Sequence, residues 1–82
     1  MIRVIVLESI PSPVICEMEE LDETTVTIDK CKLIVADKIQ KKIMLVPFPA
    51  FAKEGQKIFV RKDKIVLTYE PEEKLLNEYK GV

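Results

Sequence analysis

The pattern of apolar and polar residues along the chain predicts a series of short β-strands. The β-branched run Ile2–Leu7 predicts a first strand, which the prolines of Pro11–Pro13 stop. Alternation over Val14–Glu20 is typical of a strand with one buried face. The β-branched stretch Thr24–Ile28 predicts a third strand, which continues with a bend through Leu33–Val35.

The second half of the chain predicts three further strands. These strands are Ile43–Val46, Lys57–Arg61 and Lys64–Tyr69. Pro47 and Pro49 have no N–H group to donate to a ladder, so the chain after the fourth strand is predicted to lie at an edge or in an excursion. Lys53–Gly55 predicts a turn, and Lys62–Asp63 predicts a two-residue turn that makes the last two strands neighbours.

A short helix is predicted after the last strand. Pro71 suits the first helical position, and the two glutamates that follow suit the positive end of the helix dipole. The helix is expected to dock on the sheet through an apolar stripe, which consists of Leu75, Leu76 and Tyr79. The pattern therefore predicts an all-β domain of five or six short antiparallel strands, closed into a barrel, with one C-terminal helix.

Length and composition indicate one domain that needs support from a partner. The chain has 82 residues, enough for a single domain over residues 1–82. A domain of this size buries only about 60% of the surface of its unfolded chain. Because 48% of the residues are hydrophobic, part of the apolar surface is expected to be covered by another subunit.

Charge is unevenly distributed along the chain. The net charge is −1, which argues against strong non-specific binding to nucleic acid. Residues 30–64 hold ten basic and three acidic residues, a net +7, whereas the rest of the chain holds three basic and eleven acidic residues, a net −8. This asymmetry fits either a functional basic surface or a solvated polar face.

Several kinds of chemistry lack the residues that they need. The chain has no histidine, the commonest general base and metal ligand. Cys16 and Cys31 are fifteen residues apart with no second pair, so no zinc site is expected, and Cys16 is predicted to be a small core residue. The glycines, Gly55 and Gly81, form no phosphate-binding loop. The sequence therefore predicts a protein that is not an enzyme and uses no metal or cofactor.

The sequence shows no pattern typical of a membrane span or of a secretion signal. No run approaches the roughly 18 apolar residues of a membrane span. The first residues lack the basic lead region and the cleavage site of a secretion signal. We therefore expect a cytoplasmic protein without a disulfide.

Two segments resemble the motifs of the Sm and Sm-like (LSm) proteins. Val14–Asp22 resembles the end of the first motif, Val-Val-Gly-Glu-Leu-x-x-Phe-Asp, and Ile58–Val66 resembles the second, Val-Phe-Ile-Arg-Gly-x-x-Val-Val. The half from Val46 to Tyr79 is most similar to the small Sm-like proteins of marine cyanophages. The resemblance covers nearly the whole chain. It implies a five-stranded Sm-like (SH3-like) barrel, a homo-oligomeric ring of about five to seven subunits, and a location in the host cytoplasm if the protein is phage-encoded.

The resemblance also implies positions for binding single-stranded RNA in the pore of such a ring. Carried over by position, they are Asp22, Thr25, Arg61, Lys62 and Lys64. An arginine can stack on a base and hold a phosphate, and lysines add charge. The sequence departs from the family pattern because Thr24–Thr25 stands near the pocket Asn and Lys62 replaces a glycine. Two hypotheses stay open: an RNA-binding ring with an RNA-chaperone type role, and a structural or protein-interaction ring without nucleic acid.

The last strand predicts the way in which such a ring is held together. Residues 65–69 are β-prone and uncharged, and an open edge of this kind is a template for aggregation. We expect the edge of an identical subunit to cover it, in a head-to-tail contact that either closes into a ring or grows a fibre. The resemblance to Sm-like proteins implies closure. The predicted interface residues are Ile58, Phe59, Val60, Ile65, Val66, Leu67 and Tyr69.

Overall fold

The computed structural model describes residues 1–49, 53 and 55–81 and has a mostly β fold. Its strands are β1 (Ile2–Leu7), β2 (Val14–Glu20), β3 (Thr25–Asp37), β4 (Lys42–Pro47), β5 (Ile58–Arg61) and β6 (Ile65–Tyr69), and the helix α1 spans Glu73–Lys80. All the ladders between these strands are antiparallel. This confirms the predicted fold class of a small antiparallel β domain with a short C-terminal helix. The turn predicted at Lys53–Gly55 includes Glu54, which lies outside the described residues.

The sheet has the strand order β4-β3-β2-β1-β6, and β5 also pairs with β3. The first four residues of β3 pair with β5, and its last six residues pair with β4. The two strands predicted over Ile43–Val46 and Lys57–Arg61 are thus both present, and they pair with different parts of β3. No ladder between the described residues joins the edge made by β4 and β5 to β6, so the sheet does not close into the predicted barrel.

The last two strands are not a hairpin, so the predicted two-residue turn at Lys62–Asp63 is wrong. Lys62–Lys64 forms a 3-10 turn, after which β6 pairs with β1 instead of β5. Tight hairpin turns favour Gly or Asn because these residues adopt positive φ, and this segment has neither. The 3-10 turn carries the chain from the β5 edge of the sheet to its opposite edge.

Apolar side chains fill both faces of the sheet. One face holds the interior cluster, whose buried members are Ile5, Val14, Cys16, Val26, Ile28 and Cys31. On the other face, Val4 and Ile15 pack with Leu75 of α1. The full burial of Cys16 confirms that it is a core residue. A hydrogen bond with Cys31 and burial both raise the pKa of the Cys16 thiol, so this thiol stays protonated.

The helix α1 docks on the sheet through two residues of the predicted stripe, Leu75 and Tyr79. Leu75 is buried, and the hydroxyl of Tyr79 donates to the Lys30 carbonyl oxygen at 2.5 Å. The helix ends at Gly81, whose φ of 76° is in the left-handed region that glycine favours. It begins at Glu73, so the prediction that Pro71 is its first residue is wrong. Glu72 has extended backbone (φ −68°, ψ 160°) and separates the proline from the helix.

Leu75→Ala is expected to lower the free energy of unfolding by about 2–4 kcal/mol, because it removes a buried side chain between helix and sheet. Leu76→Ala is the matched control, since Leu76 is only half-buried and should cost less. Urea unfolding at one fixed protein concentration measures both values. Equal losses for the two variants would contradict the docking of α1 through Leu75.

Candidate nucleic-acid interface

The loop between β2 and β3 is closed by the side chain of Asp22. One carboxylate oxygen, Oδ1, accepts hydrogen bonds from the backbone N–H groups of Thr24 and Thr25, each at 2.8 Å. It also accepts the Thr24 hydroxyl at 3.1 Å. In return, the N–H groups of Leu21 and Asp22 donate to the Thr25 carbonyl oxygen at 3.1 Å. Aspartate suits this position because its short side chain can accept from backbone two residues ahead.

These hydrogen bonds also set the charge of Asp22. The backbone N–H and the hydroxyl of Thr24 hold the pKa of the Asp22 carboxyl below its ordinary value of 3.8, with smaller contributions from Thr25 and the charge of Lys62. A carboxyl whose pKa is depressed on folding stabilises the folded loop above its unfolded pKa. That contribution is lost as pH falls through the folded pKa. The loop is therefore expected to hold its shape throughout the neutral range and to loosen only in strong acid.

Asp22→Ala is expected to speed the exchange of the Thr24 and Thr25 amide hydrogens, because both lose their acceptor. Asp22→Asn keeps an acceptor oxygen without the charge and should give an intermediate rate. Hydrogen exchange followed by NMR at neutral pH measures the three proteins side by side. Unchanged exchange at Thr24 and Thr25 in the alanine variant would contradict the role of Asp22 in closing the loop.

The ladder between β3 and β5 brings a second segment to this loop. Thr25 is the direct partner of Arg61, and the Lys62 N–H donates to the Thr24 carbonyl oxygen at 2.8 Å. Four of the five predicted binding residues therefore lie side by side. We call Asp22, Thr24, Thr25, Arg61 and Lys62 the loop cluster.

Lys64 is the predicted binding residue that lies apart from the loop cluster. It stands at the far end of the 3-10 turn, where its carbonyl oxygen accepts the Glu8 N–H at 2.9 Å. Its ammonium group lies 3.5 Å from a Glu8 carboxylate oxygen. The turn thus directs Lys64 to the end of β1 rather than to the β2–β3 loop.

Each cation of the loop cluster already has an acidic partner. Arg61 Nε lies 3.4 Å from Asp63 Oδ1, and the Lys62 ammonium forms an ion pair with Glu20. The sequence analysis did not predict Glu20 and Asp63 as partners of these cations. Ion pairs this exposed contribute little to stability, so a phosphate can exchange for either carboxylate.

A family model matches the whole chain, residues 1–82. The chain belongs to the family of unknown function DUF6561. A search of curated proteins finds no match. The family description assigns no activity, so the function of this DUF6561 chain has to be argued from its own residues.

The predicted interface residues of this DUF6561 chain divide into two groups. Ile58, Val60 and Ile65 are half-buried and pack against the interior cluster. The others are exposed: Phe59, Val66, Leu67 and Tyr69, with exposed fractions of 43–68%. Alternation along β5 explains part of this division, because successive side chains of a strand point to opposite faces. These four exposed residues are the predicted interface residues that can contact another molecule.

The part of the chain that the structure describes contains neither a membrane-spanning helix nor a metal site. No helix among these residues is long and apolar enough to cross a membrane. Within the same residues, no group of three or more His, Cys, Asp or Glu side chains is arranged to hold a metal ion.

Proposed function

We propose that the protein assembles into a homo-oligomeric Sm-like ring of about five to seven subunits that binds single-stranded RNA, in an RNA-chaperone type role without catalysis. The observation that carries the proposal is the ladder between β3 and β5. It aligns Thr25 with Arg61, and the hydrogen bond from the Thr25 N–H to Asp22 brings the end of the first segment that resembles an Sm motif next to the second. The proposal includes a cytoplasmic location, in the host cell if the protein is phage-encoded.

The open edges of the sheet support assembly. Strand β6 pairs with β1 on one side, and no described strand pairs with its other side. Its exposed residues include Val66 at 63% and Leu67 at 48%. Pairing of this edge with the β5 edge of a neighbour joins two different surfaces, so the contact is head-to-tail, and the resemblance to Sm-like proteins favours its closure into a ring. Such pairing also covers a strand edge that otherwise favours aggregation.

The chemistry of the loop cluster suits single-stranded RNA. The Arg61 side chain is 72% exposed, and its guanidinium group has the planar shape that stacks on a base or holds a phosphate. The Thr24 and Thr25 hydroxyls can both donate and accept, which matches the edges of bases and the ribose 2′-OH. The ionised Asp22 accepts hydrogen bonds from base N–H groups, and it opposes non-specific attraction of phosphates.

A filter-binding assay tests the proposal on the wild-type protein. We expect binding to a single-stranded RNA oligonucleotide at about 50 mM salt and clearly weaker binding at about 200 mM, because bound phosphates release counterions. A duplex of the same sequence is the control, since its stacked bases are inaccessible to the loop cluster. Absence of binding to the single strand at about 50 mM salt contradicts the RNA function.

A second candidate function is a structural or protein-interaction ring without nucleic acid. The paired state of the cations favours it, because Arg61, Lys62 and Lys64 each face a carboxylate of their own chain. A phosphate must displace these partners before it gains their charge. An intact oligomer that binds no RNA at low salt would establish this second function over the first.

A further inference from the structure

A groove lies between the end of β4 and the start of β5. Along the β3 edge, pairing with β5 stops at Ile28 and pairing with β4 starts at Lys32, so residues 29–31 have no strand beside them there. The positive φ of Lys30, 51°, marks the bend at this point. The groove has a volume of about 550 Å³, within the range of small-molecule sites. The residues that line it include the end of β4 on one side and the start of β5 on the other.

The groove carries positive charge. Lys30, Lys32 and Lys53 line it, and the described lining residues include no carboxylate. The Lys30 ammonium lies 3.2 Å from a Glu17 carboxylate oxygen, and it is the only one of the three lysines with an ion pair among the described residues. This differs from the loop cluster, where both cations face acidic side chains. The groove is therefore the better site for an anion.

One wall of the groove is apolar and held in place. Phe48 lines the groove between Pro47 and Pro49 and also packs against the interior cluster. The Phe48 N–H donates to the Cys31 carbonyl oxygen at 3.2 Å, which fixes its backbone to β3. An aromatic ring supported in this way can stack against a nucleic-acid base of any identity.

We propose that this groove binds a nucleotide, with its phosphate on the lysines and its base against Phe48. Lysine ammonium groups hold phosphate as point charges, and the Phe48 wall supplies the apolar contact that an inorganic anion does not use. The site needs neither the loop cluster nor assembly, so it goes beyond the proposed function. The nucleotide is free or part of a single strand, since both present the same phosphate and base.

Titration with adenosine monophosphate tests this proposal. We expect relaxation-optimised NMR spectra to shift at the amides of residues 30–32 and at Phe48, with weaker effects from inorganic phosphate and from adenosine alone. Lys32→Ala combined with Lys53→Ala should weaken nucleotide binding about tenfold, because the phosphate then has two fewer ammonium groups beside it. Lys38→Ala with Lys41→Ala is the control, since it removes the same charge from the turn between β3 and β4. Phe48→Leu should lower nucleotide affinity and leave phosphate affinity unchanged.

The outcomes separate this site from the loop cluster. Arg61→Ala with Lys62→Ala should leave the shifts that adenosine monophosphate causes at residues 30–32 and at Phe48 unchanged, and loss of those shifts in that variant overturns the groove as the site. Equal affinity for phosphate and nucleotide, or no shifts at residues 30–32, also overturns the proposal. An oligonucleotide that shifts the groove amides in addition indicates a nucleotide within a strand. Shifts from adenosine monophosphate alone indicate a free nucleotide.

Discussion

Replacing Leu67 by lysine is expected to convert the proposed ring into monomers of 9.4 kDa. Leu67 lies on the edge strand β6 opposite Val6 and is 48% exposed in the single subunit. A lysine at this position places a charge in the apolar contact between subunits, where its desolvation is costly. In the single subunit the same side chain reaches water, so the fold should survive. Light scattering coupled to size exclusion measures the mass, and circular dichroism checks the β fold.

Ile39→Lys is the matched control for Leu67→Lys. Ile39 is 95% exposed in the turn between β3 and β4, away from β6, so the same added charge should leave the oligomer intact. An oligomer of unchanged mass in Leu67→Lys would contradict the role of the β6 edge. Dissociation in both variants would show that added charge alone separates the subunits.

Replacing Arg61 and Lys62 by alanine is expected to weaken the binding of single-stranded RNA by about tenfold or more. The slope of the salt dependence should also fall by about one for each phosphate that the variant no longer neutralises. Each substitution frees a carboxylate, Asp63 or Glu20, next to the RNA, and this adds repulsion to the weaker attraction. Filter binding at several salt concentrations measures both the affinity and the slope.

The control for the Arg61 and Lys62 double variant is a second double variant that has the same net charge. Lys38→Ala with Lys41→Ala removes two positive charges from the turn between β3 and β4 and should change RNA affinity much less. Similar decreases in affinity for the two double variants would indicate attraction by overall charge and not by the loop cluster. Light scattering on both variants verifies that the ring is intact.

Local patterns predicted most of the elements because each is coded by a few neighbouring residues. Alternation over residues 14–20 placed Cys16 in the core, where it is fully buried. The β-branched stretch from Thr24 predicted that β3 continues past a bend, and the structure has one strand of 13 residues with the bend at Lys30. The apolar stripe of α1 predicted that Leu75 is buried against the sheet.

Pairing between distant strands was harder to predict. Lys62–Asp63 separates two strands by two residues, which suggests a hairpin, yet β5 pairs with β3 and β6 with β1. The choice depends on the backbone conformation of the turn and on which edges the rest of the sheet leaves open. Local sequence reports neither. The segment between β4 and β5 was predicted only as an edge or an excursion after Pro47. Apart from the lysines, nothing in the sequence indicated the groove beside this segment.

In the candidate site, too, contacts between residues that are close in the sequence were easier to predict than contacts between distant residues. Resemblance to Sm motifs named Asp22, Thr25, Arg61 and Lys62, and the fold brings these four together. It also named Lys64, which the 3-10 turn directs toward Glu8. The pairing of Lys62 with Glu20 joins residues far apart in the sequence, so no local pattern could have predicted it.

We propose that identical subunits form a ring whose loop clusters bind single-stranded RNA. Light scattering on the wild-type protein, with and without an RNA oligonucleotide, measures the mass of this assembly. We expect a single species of about five to seven subunits at micromolar concentration, whose mass rises by that of the bound RNA. A stable monomer of 9.4 kDa, or a two-fold dimer that leaves Leu67 and Tyr69 exposed, would contradict it.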